Sequence, residues 1–448
     1  MGQVFCPLFD LVITMEALPK ILKNLNIPQL NEVQEAALNV TEQKDFVLLA
    51  PTGSGKTLGF LLPLLKRLST TEAGVQALVL VPTRELALQI EQVLRQMGTG
   101  FKVNCCYGGH STYQEKKNLA HAPAVLIGTP GRVLYHLQNE NLDPSFIKTL
   151  VLDEFDKSLE MGFQEEMAAI LGQLPQVERR FLTSATNLKE MPAFTGIKNP
   201  TVLDFLQEES MAPDLQLKVV QIEAGDKLNT LFKLLCAIGP KTTLVFCNLR
   251  EAVEKVSEYL KEKGMSSSIF HGGLEQPDRE RAIMKFRNGT NYLLISTDLA
   301  ARGLDIPEIE AVVHFQLPDA ATFTHRNGRT ARMKAQGSSY LLLHPEEKPA
   351  YLPTLPKPEK LPAKAQLPAP SPWETLYLSA GKKDKVSKGD IAGLLMQKGG
   401  LEKSEVGLIE IQDSASFAAV HRSKINKTVQ LLRQEKLKGK KVKVEQAN

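Results

Sequence analysis

Short apolar runs alternate with longer amphipathic stretches between residues 46 and 343, and this alternation restricts the fold more than any other feature. Each run is rich in Val, Leu and Ile and lacks the regular polar positions of a strand with one solvated face. Such runs, separated by helices, are typical of parallel strands buried on both faces. We therefore predict two consecutive α/β lobes that join near residues 206–214. The runs lie at residues 46–50, 77–81, 124–128, 149–153 and 180–184 in the first half, and at 217–222, 243–247, 292–296, 311–315 and 339–343 in the second.

A proline-rich segment follows the second lobe. Nine of the chain's 26 prolines lie within residues 344–373. Proline fixes φ and lacks the backbone N–H, so such a segment neither joins a sheet nor fills a helix. It predicts a semi-rigid polyproline-II spacer, with a partner-binding PxxP segment as the less favoured alternative. The predicted divisions are residues 1–207 and 208–344 for the lobes, 345–372 for the spacer and 373–448 for a C-terminal domain.

The C-terminal domain is predicted to be small, basic and α+β. Its elements follow the order strand, helix, strand, strand, helix, strand, which is the layout of an RNA-recognition motif (RRM). Residues 373–448 carry fifteen Lys and Arg against nine Asp and Glu, a net charge of +6, whereas the whole chain has +4. This concentration of charge indicates nucleic acid as the partner, although a solvated surface is the simpler alternative. The central strand holds only one aromatic residue, Phe417, and Tyr377 is the nearest other candidate for stacking bases.

Other sequence features exclude several classes of protein. No run approaches 18 uninterrupted apolar residues, and the N-terminus lacks the pattern of a secretory signal. The five cysteines form no CxxC pair, and the eight histidines show no ligand spacing. We expect a cytoplasmic monomer with no membrane partner, no disulfide and no dedicated zinc site.

A candidate nucleotide site begins where the first apolar run leads into APTGSGKT, residues 50–57. This sequence matches the phosphate-binding loop G-x-x-x-x-G-K-[ST], except that Ala50 replaces the first glycine. Its glycines allow backbone N–H groups to point at phosphate oxygens beside a helix N-terminus. Lys56 is expected to neutralise the β- and γ-phosphates of ATP, and the Thr57 hydroxyl to bind Mg²⁺. The predicted nucleotide-binding residues of the loop are Thr52, Gly53, Ser54, Gly55, Lys56 and Thr57.

Acidic residues at the end of another apolar run complete this candidate site. Residues 150–156 read LVLDEFD. Asp153 fits the carboxylate that holds Mg²⁺, either directly or through water, and Glu154 fits the residue that activates the attacking water. Two exposed acids at a strand end are the alternative, which the phosphate-binding loop in the same lobe makes weak.

The second lobe contains a basic cluster, HRNGRTAR, at residues 325–332. Four basic groups at this spacing repel one another unless an anion lies near them. Arg329 and Arg332 are three residues apart, and we expect them to approach a γ-phosphate as arginine fingers do. The alternative is the start of a surface helix.

Together these blocks resemble the DEAD-box RNA helicases over residues 9–345. The resemblance implies an α/β fold of two tandem RecA-like parallel-sheet lobes, followed here by the RRM-like domain. It also implies an ATP-dependent RNA helicase that couples ATP hydrolysis to local RNA unwinding. The blocks that carry it are 82-PTRELALQ-89, Gly108-Gly109, 129-TPGR-132, 153-DEFDKSLEMGF-163, 184-SAT-186, 244-LVFCN-248, 296-STDLAARGLDIP-307 and 325-HRNGRTAR-332.

The family's functional residues transfer onto matching positions of this chain. Phe9 is implied to stack on adenine, Gln34 to bond the edge of the base, and Asp305 to contact the ribose. Ser184 and Thr186 are implied to couple the ATP state to RNA binding. Phosphate contacts of this kind position RNA without reading its sequence. The implied RNA contacts are Thr83, Arg84, Gly109, Thr129 and Arg132 in the first lobe and Arg279, Thr297 and Arg302 in the second.

Three positions depart from the family pattern. Phe155 replaces the alanine of Asp-Glu-Ala-Asp, and we expect a compensating repacking around residues 183–185. The segment before Gln34 lacks the usual proline and hydroxyl, which weakens the expectation of strict adenine selection. Asn327 and Ala331 replace the commoner isoleucine and glycine near the arginines, without removing a charge.

The C-terminal domain contains 376-LYLSAGKKDKVSKGDIAGLL-395, 405-EVGLIEI-411 and 436-KLKGKKVKV-444. In these segments it is similar to the RNA-binding domain of bacterial DbpA-type helicases. In that family it directs the core to a hairpin of large-subunit ribosomal RNA during ribosome assembly. The candidate RNA contacts here are Lys436, Lys438, Lys440 and Lys441. Two alternatives remain: a general cold-shock or RNA-decay helicase with an unselective RNA-binding tail, and a nucleotide-gated RNA clamp in which Phe155 abolishes turnover. A DNA translocase is the least favoured function.

Overall fold

The computed structural model describes residues 17–40, 45–51, 53–109, 112–187, 190–206, 215–223, 226–298, 309–330 and 337–447. They form two units, which we describe separately. The first unit is the N-terminal lobe. The second contains the C-terminal lobe, the proline-rich segment (residues 345–372) and the C-terminal domain.

The first lobe is built on seven parallel strands with helices on both faces. Its strands are β1 (Phe46–Leu49), β2 (Ala77–Leu80), β3 (Val103–Cys106), β4 (Val125–Gly128), β5 (Thr149–Leu152), β6 (Arg179–Ser184) and β7 (Thr201–Asp204). Its helices are α1 (Leu18–Leu25), α2 (Glu32–Leu38), α3 (Lys56–Leu65), α4 (Arg84–Met97), α5 (Thr112–Leu119), α6 (Pro130–Gln138), α7 (Phe155–Glu160) and α8 (Gln164–Leu171). The spatial order of the strands is β3-β4-β2-β5-β6-β1-β7.

Strand β2 shows how one apolar run serves both faces of this sheet. Ala77 and Val79 belong to one buried cluster, whereas Leu78 and Leu80 belong to the cluster on the other face. Successive side chains of a strand point in opposite directions, so a strand covered on both sides needs an apolar residue at every position. The continuous runs seen in the sequence follow from this requirement.

The second lobe repeats the architecture with six parallel strands. They are β8 (Leu215–Gln221), β9 (Thr243–Cys247), β10 (Ser268–Phe270), β11 (Leu293–Thr297), β12 (Ala311–His314) and β13 (Gly337–Leu343). Its helices are α9 (Lys227–Ile238), α10 (Arg250–Glu262), α11 (Gln276–Arg287) and α12 (Ala320–Asn327). The spatial order is β10-β11-β9-β12-β13-β8.

The C-terminal domain has the predicted α+β layout. Its elements are β14 (Trp373–Leu378), α13 (Lys388–Gln397), β15 (Val406–Ile411), β16 (Ser416–His421), α14 (Ile425–Leu432), β17 (Lys436–Leu437), β18 (Lys440–Lys441) and β19 (Val444–Gln446). The antiparallel sheet has the order β15-β16-β14-β19, and β17 and β18 form a separate hairpin. The last strand of the predicted order is therefore divided into two short strands, β18 and β19. The predicted fold class is confirmed.

The proline-rich segment lies along the second lobe, with no helix or strand of its own. The backbone N–H of Glu359 donates to the Val219 carbonyl of edge strand β8 over 2.8 Å, and the Glu359 carboxylate pairs with Lys218 over 3.1 Å. Leu352 and Leu355 pack on an apolar cluster that includes Val219. The segment thus covers one edge of the second sheet, a contact that its composition did not predict.

Among the residues that the structure describes, the helices are too short or too polar to cross a bilayer.

Candidate active site and RNA interface

The order of strands in the first lobe separates two groups of predicted site residues. The carboxyl ends of parallel strands meet at one edge of a sheet, where ligands of such folds bind. The neighbouring strands β5, β6 and β1 lead into the acidic residues, the Ser-Ala-Thr sequence and the phosphate-binding loop. The neighbouring strands β3, β4 and β2 lead into the predicted RNA contacts. One half of this edge therefore carries the candidate nucleotide site and the adjoining half the candidate RNA site.

The phosphate-binding loop holds Lys56 at the start of helix α3. Gly53 and Gly55 have φ angles of 85° and 87°, which favour glycine. The Lys56 ammonium donates to the carbonyls of Ala50 and Pro51 over 2.6 and 2.9 Å. The ammonium thus lies inside the curve of the loop, and Thr57 stands in the first turn of the helix.

Gln34 is fixed against this loop by a capping box. The Asn31 side chain accepts from the Gln34 backbone N–H over 3.0 Å, and the Gln34 side-chain oxygen accepts from the Asn31 backbone N–H over 3.1 Å. The amide groups of both side chains reach the loop, where they donate to the carbonyls of Ser54 and Gly55 over 2.9 and 3.4 Å. A Cβ at Gly55 would lie 2.4 Å from the Gln34 side-chain nitrogen. Asn31 therefore takes over the capping that the missing hydroxyl would provide, since Asn and Ser cap helices equally well.

The acidic residues follow β5 in a strained turn. Glu154 has a φ of 47°, an uncommon value for a residue with a side chain, and residues of this kind cluster at functional sites. Its N–H lies 3.1 Å from the Asp153 carboxylate and 3.2 Å from the Thr183 hydroxyl. The Thr183 hydroxyl also donates to Asp153. The Glu154 carboxylate pairs with the buried Lys157 over 3.0 Å. Both carboxylates are thus held firmly by neighbouring groups.

Burial gives the two central charges unusual proton affinities. It lowers the pKa of Lys56 to about 8, although Glu154 and Asp153 act in the opposite direction. Burial and the Glu154 charge raise the pKa of Asp153 to about 6, against the effects of Thr183 and Lys56. An anion beside Lys56 and a cation beside Asp153 would each stabilise the charged form. Carboxylate and hydroxyl oxygens are ligands that Mg²⁺ prefers, so Asp153 and Thr57 fit that ion.

Phe155 begins helix α7 and turns away from the charged groups. It is fully buried in the apolar cluster on one face of the sheet. Its ring lies 6.1 Å from that of Phe194, between centroids. Phe194 belongs to a 3₁₀ turn (Ala193–Thr195), so the aromatic contact lies beyond the segment 183–185 in which we expected the repacking.

The Ser-Ala-Thr sequence is bonded to the acidic turn. The Thr186 hydroxyl donates to the Asp156 carboxylate over 2.9 Å. The Ser184 hydroxyl accepts from the Thr186 N–H over 3.1 Å and donates to the Thr186 carbonyl over 2.6 Å. A displacement of the Ser-Ala-Thr sequence would therefore also displace the Asp156 carboxylate. Its role in coupling ATP state to RNA binding stays a prediction.

Three of the predicted RNA contacts lie after β2 and β3. Thr83 caps helix α4 by accepting from the Leu86 N–H over 3.2 Å. The Arg84 guanidinium lies over the Tyr107 ring, 4.7 Å from its centroid. Gly109 has a φ of 86°, and a Cβ there would lie 3.5 Å from the Arg84 side chain. The residues come together as the sheet order requires.

Glu115 joins the segment after β3 to helix α6, which follows β4. The sequence motifs did not reveal this role. Its buried carboxylate accepts from the Tyr107 N–H over 3.1 Å and from Arg132 over 2.7 Å. The fully buried His136 ring lies 2.8 Å from the same carboxylate. Thr129 begins helix α6, which carries Arg132 and His136. Only a prediction that Glu115 is buried in α5 would have indicated this role from the sequence.

In the second lobe, Arg326 is an internal residue rather than part of a basic surface. It is 1% exposed and forms two bonds of 2.6 Å to the Asp298 carboxylate. It also donates to Asn248 and to the Gln316 carbonyl, each over 2.7 Å. These partners follow β11, β9 and β12, so Arg326 fastens three neighbouring strand ends together.

Asn327 has polar partners that the more usual isoleucine could not use. Its side-chain oxygen accepts from the Ser339 hydroxyl over 2.7 Å and lies 3.1 Å from the His314 ring. Burial lowers the pKa of His314 to about 3, and the Arg326 charge acts in the same direction. His314 is therefore neutral at physiological pH.

The structure describes three other predicted residues of this lobe, Arg329, Arg279 and Thr297. Helix α12 ends at Asn327, so Arg329 lies in the turn beyond it and is largely buried. Arg279 lies in α11, which follows β10, and Thr297 is the last residue of the neighbouring strand β11. Five predicted residues lie outside the described ranges: Phe9, Thr52, Arg302, Asp305 and Arg332.

The four predicted C-terminal lysines lie on or between β17 and β18. Two of them form ion pairs within the domain, and the other two are exposed on facing strands. Lys438 pairs with Asp390 over 2.9 Å, and Lys440 pairs with Asp384 over 2.9 Å. Lys436 and Lys441 lie opposite each other on β17 and β18, and both are exposed. Like charges in this arrangement repel, which favours an anionic partner.

The face of the C-terminal sheet opposite its helices contacts the second lobe. Leu376 and Leu378 point into the domain core, so Thr375 lies on the other face of β14. There its hydroxyl bonds the Thr290 hydroxyl over 2.7 Å, and both residues are buried. Nearby, Glu410 of β15 pairs with Arg287 over 2.8 Å. The second lobe thus covers part of the surface on which an RRM stacks bases.

Three protein families match successive parts of the chain. Residues 31–192 match the DEAD/DEAH box helicase family. Residues 226–334 match the helicase conserved C-terminal domain, and residues 375–446 match the DbpA RNA binding domain. The matches cover both lobes and the C-terminal domain.

Individual proteins give the same picture over nearly the whole length. The chain is 34% identical to the ATP-dependent RNA helicase DbpA of Escherichia coli, over 95% of this chain and 97% of that protein. It is 29% identical to DbpA of Bacillus subtilis, over 96% and 97%. Among solved structures it is similar to S. cerevisiae Dbp5 bound to RNA and ADP BeF3, with a TM-score of 0.66, 28% identity and coverage of 73% and 88%. The chain therefore belongs to the DEAD-box ATP-dependent RNA helicases of the DbpA type.

Proposed function

We propose that the C-terminal domain directs this helicase to a structured segment of large-subunit ribosomal RNA, where the core separates short duplexes during ribosome assembly in the cytoplasm. The observation that carries the proposal is the exposed pair Lys436 and Lys441 on the β17–β18 hairpin. Two opposed ammonium groups suit the closely spaced phosphates of a folded RNA.

The location of the hairpin supports a structured target. The second lobe covers part of the sheet face that an RRM uses for single strands, and Phe417 there is 3% exposed. The hairpin lies outside the four-stranded sheet and presents lysines instead of aromatic rings. Double-stranded RNA is recognised mainly through its shape and its phosphates, which lysines can contact.

For the hydrolytic step, we propose roles for the residues around the phosphate-binding loop. Lys56 binds the β- and γ-phosphates of ATP, Gln34 bonds the adenine edge, and Glu154 accepts a proton from the attacking water. Thr57 and Asp153 would hold Mg²⁺, which neutralises charge on the phosphates when bound. Arg329 is proposed to stabilise the charge that develops during phosphoryl transfer, together with Arg332, which lies outside the described residues.

We propose that the other half of the same edge binds RNA phosphates. Arg84 and Arg132 supply the charge, held in place by the Tyr107 ring and by Glu115. In the second lobe, we propose that the Arg279 guanidinium and the Thr297 hydroxyl bind phosphates, together with Arg302, which lies outside the described residues. These groups contact the backbone, so the core contributes affinity without sequence preference.

The test compares RNA-stimulated ATPase rates across a panel of RNAs. Large-subunit ribosomal RNA fragments, unrelated RNAs of equal length and no RNA are tested at several salt concentrations. We expect the ribosomal fragments to give half-maximal stimulation at the lowest concentration. The double variant Lys436→Ala/Lys441→Ala should lose that preference and lower the salt slope by about two.

A matched control is Lys398→Ala/Lys403→Ala, which removes two exposed lysines of the same domain outside the hairpin. The control should keep the preference for ribosomal fragments. Equal stimulation by every RNA would contradict the proposed target and leave a general RNA helicase.

A further inference from the structure

The loop between β12 and α12 (residues 315–319) is bonded to Arg326 of α12 and to Asn248, which follows β9. The Gln316 carbonyl accepts from Arg326 over 2.7 Å. The Leu317 carbonyl accepts from the Asn248 side chain over 3.1 Å. The loop is therefore part of the network that fixes Arg326.

The proline-rich segment supplies a third bond to this loop. The Tyr351 hydroxyl donates to the Pro318 carbonyl over 2.9 Å. The Tyr351 ring lies 5.3 Å from the Phe323 ring, between centroids, at an angle of 41°. The neighbouring Leu352 packs on the apolar cluster that includes Phe323. One side chain of the segment thus contacts both the loop and the helix that follows it.

Helix α12 connects these contacts to the arginines. It begins after Asp319, which caps it by accepting from the Thr322 N–H over 2.8 Å, and it ends at Asn327. Phe323 lies within the helix, and Arg329 follows its last turn. Eight helical residues span about 12 Å, so a change at the first turn is carried to the last turn by one rigid element.

We propose that Tyr351 is a positioning residue for ATP turnover. By fixing the loop at Pro318 and the helix at Phe323, it sets the orientation of α12 and hence of Arg329. This inference rests on the proposed role of Arg329 in phosphoryl transfer. The proline-rich segment would then help to position Arg329 for ATP turnover, in addition to joining two folded regions.

The test measures RNA-stimulated ATPase of full-length variants over ranges of ATP and RNA concentration. Tyr351→Ala should lower kcat about tenfold, because it removes both the hydrogen bond and the ring contact. Tyr351→Phe keeps the ring contact and should lower kcat by only about threefold. The half-maximal concentrations of ATP and RNA should stay within about twofold of wild type, since Tyr351 contacts neither ligand site.

Leu367→Ala is the matched control, because Leu367 lies in the same segment, is 45% exposed and approaches Gly264 instead of the loop. It should keep the wild-type kcat. Thermal unfolding identifies variants that do not fold; if Tyr351→Ala is among them, Tyr351→Phe decides alone. A wild-type kcat for a folded Tyr351→Ala protein, or for Tyr351→Phe in its place, overturns the inference.

Arg329→Ala separates this inference from the proposed function. If Arg329→Ala loses turnover while the Tyr351 variants keep it, only the role of Tyr351 is wrong. If Arg329→Ala keeps wild-type turnover, the proposed role of the arginine and the inference built on it are both overturned.

Discussion

Phe155 in the first lobe and Asn327 in the second both depart from the family pattern, yet the structure accommodates them in opposite ways. Phe155 is buried among apolar residues, with its nearest ring at Phe194. Asn327 is accommodated by hydrogen bonding, with Ser339 and His314 as partners. A large ring needs only volume, whereas a buried amide needs specific donors and acceptors.

This difference leads us to predict that both departures leave ATP hydrolysis intact. The Phe155 ring points into the core, and Asp153 and Glu154 on the preceding turn keep their polar contacts. Asn327 satisfies its polar group locally, and the adjacent Arg326 keeps its bonds to Asp298. The buried position of the ring argues against the clamp in which Phe155 abolishes turnover.

The largest effect that we predict is on stability when the family's alanine is restored. Phe155→Ala should lower the free energy of unfolding by about 3–5 kcal/mol, because it leaves a cavity in the apolar cluster. Urea unfolding measures this, with the partly exposed Phe146→Ala as the control. Improved folding and faster ATP hydrolysis in Phe155→Ala would together contradict the account of packing.

Restoring the commoner residue in the second lobe should cost less. Asn327→Ile removes the oxygen that both the His314 ring and the Ser339 hydroxyl approach, so these two groups, 3.2 Å apart, keep only each other. We expect a cost of about 1–3 kcal/mol in the free energy of unfolding. The double variant Asn327→Ile/Ser339→Ala should show less than the sum of the two single effects. Additive effects would mean that the two side chains are not coupled.

The two lobes should also respond to acid in opposite directions. His314 has its pKa lowered from 6.5 to about 3, so below about pH 6.5 the unfolded chain takes up a proton that the folded one does not. Stability is then lost by roughly 1 kcal/mol per pH unit. Asp153 has its pKa raised from 3.8 to about 6, so between these values the folded chain takes up the proton and gains stability as pH falls.

Variants separate these two contributions in urea unfolding between pH 4 and 7, a range that we choose to span both windows. Relative to wild type, His314→Gln should lose less stability as pH falls, and Asp153→Asn should lose more. Identical pH slopes in all three proteins would show that neither group titrates as its burial indicates.

The smallest effect concerns the cap of helix α2. Asn31→Ser restores the family's hydroxyl, which caps as well as asparagine does, so stability should change by only a few tenths of a kcal/mol. The KM for ATP should stay within about twofold of wild type. Asn31→Ala removes the cap and should raise that KM, because the Gln34 N–H and the Ser54 carbonyl lose the side chain that joins them. Equal KM values for the serine and alanine variants would contradict the capping role.

Strands buried on both faces were predictable from sequence, and most edge strands were not. The predicted runs correspond to β1, β2, β4, β5, β6, β8, β9, β11, β12 and β13. The strands missed are β3 (Val103–Cys106), β7 (Thr201–Asp204) and β10 (Ser268–Phe270), each at an edge of its sheet. β3 and β7 are partly exposed and β10 has three residues, so their apolar signal is weak.

Motif residues were predictable where the chemistry needs a fixed spacing along the chain, as in the phosphate-binding loop. Their partners were not, because pairs such as Glu115 with Arg132 or Tyr351 with Pro318 depend on tertiary packing. The same limit applies to Lys438 and Lys440, which were predicted as RNA contacts but form ion pairs within the domain. Their role in RNA binding stays a prediction.

The central claim is that the departures leave RNA-stimulated hydrolysis intact, and the ATPase rate with and without RNA tests it most directly. We predict stimulation by RNA in the wild-type chain, and a fall of about 10²–10⁴-fold in Glu154→Gln, which removes the group proposed to activate water. A wild-type chain without stimulated hydrolysis would show that Phe155 abolishes turnover. A Glu154→Gln protein with the wild-type rate would show that Glu154 does not activate the water.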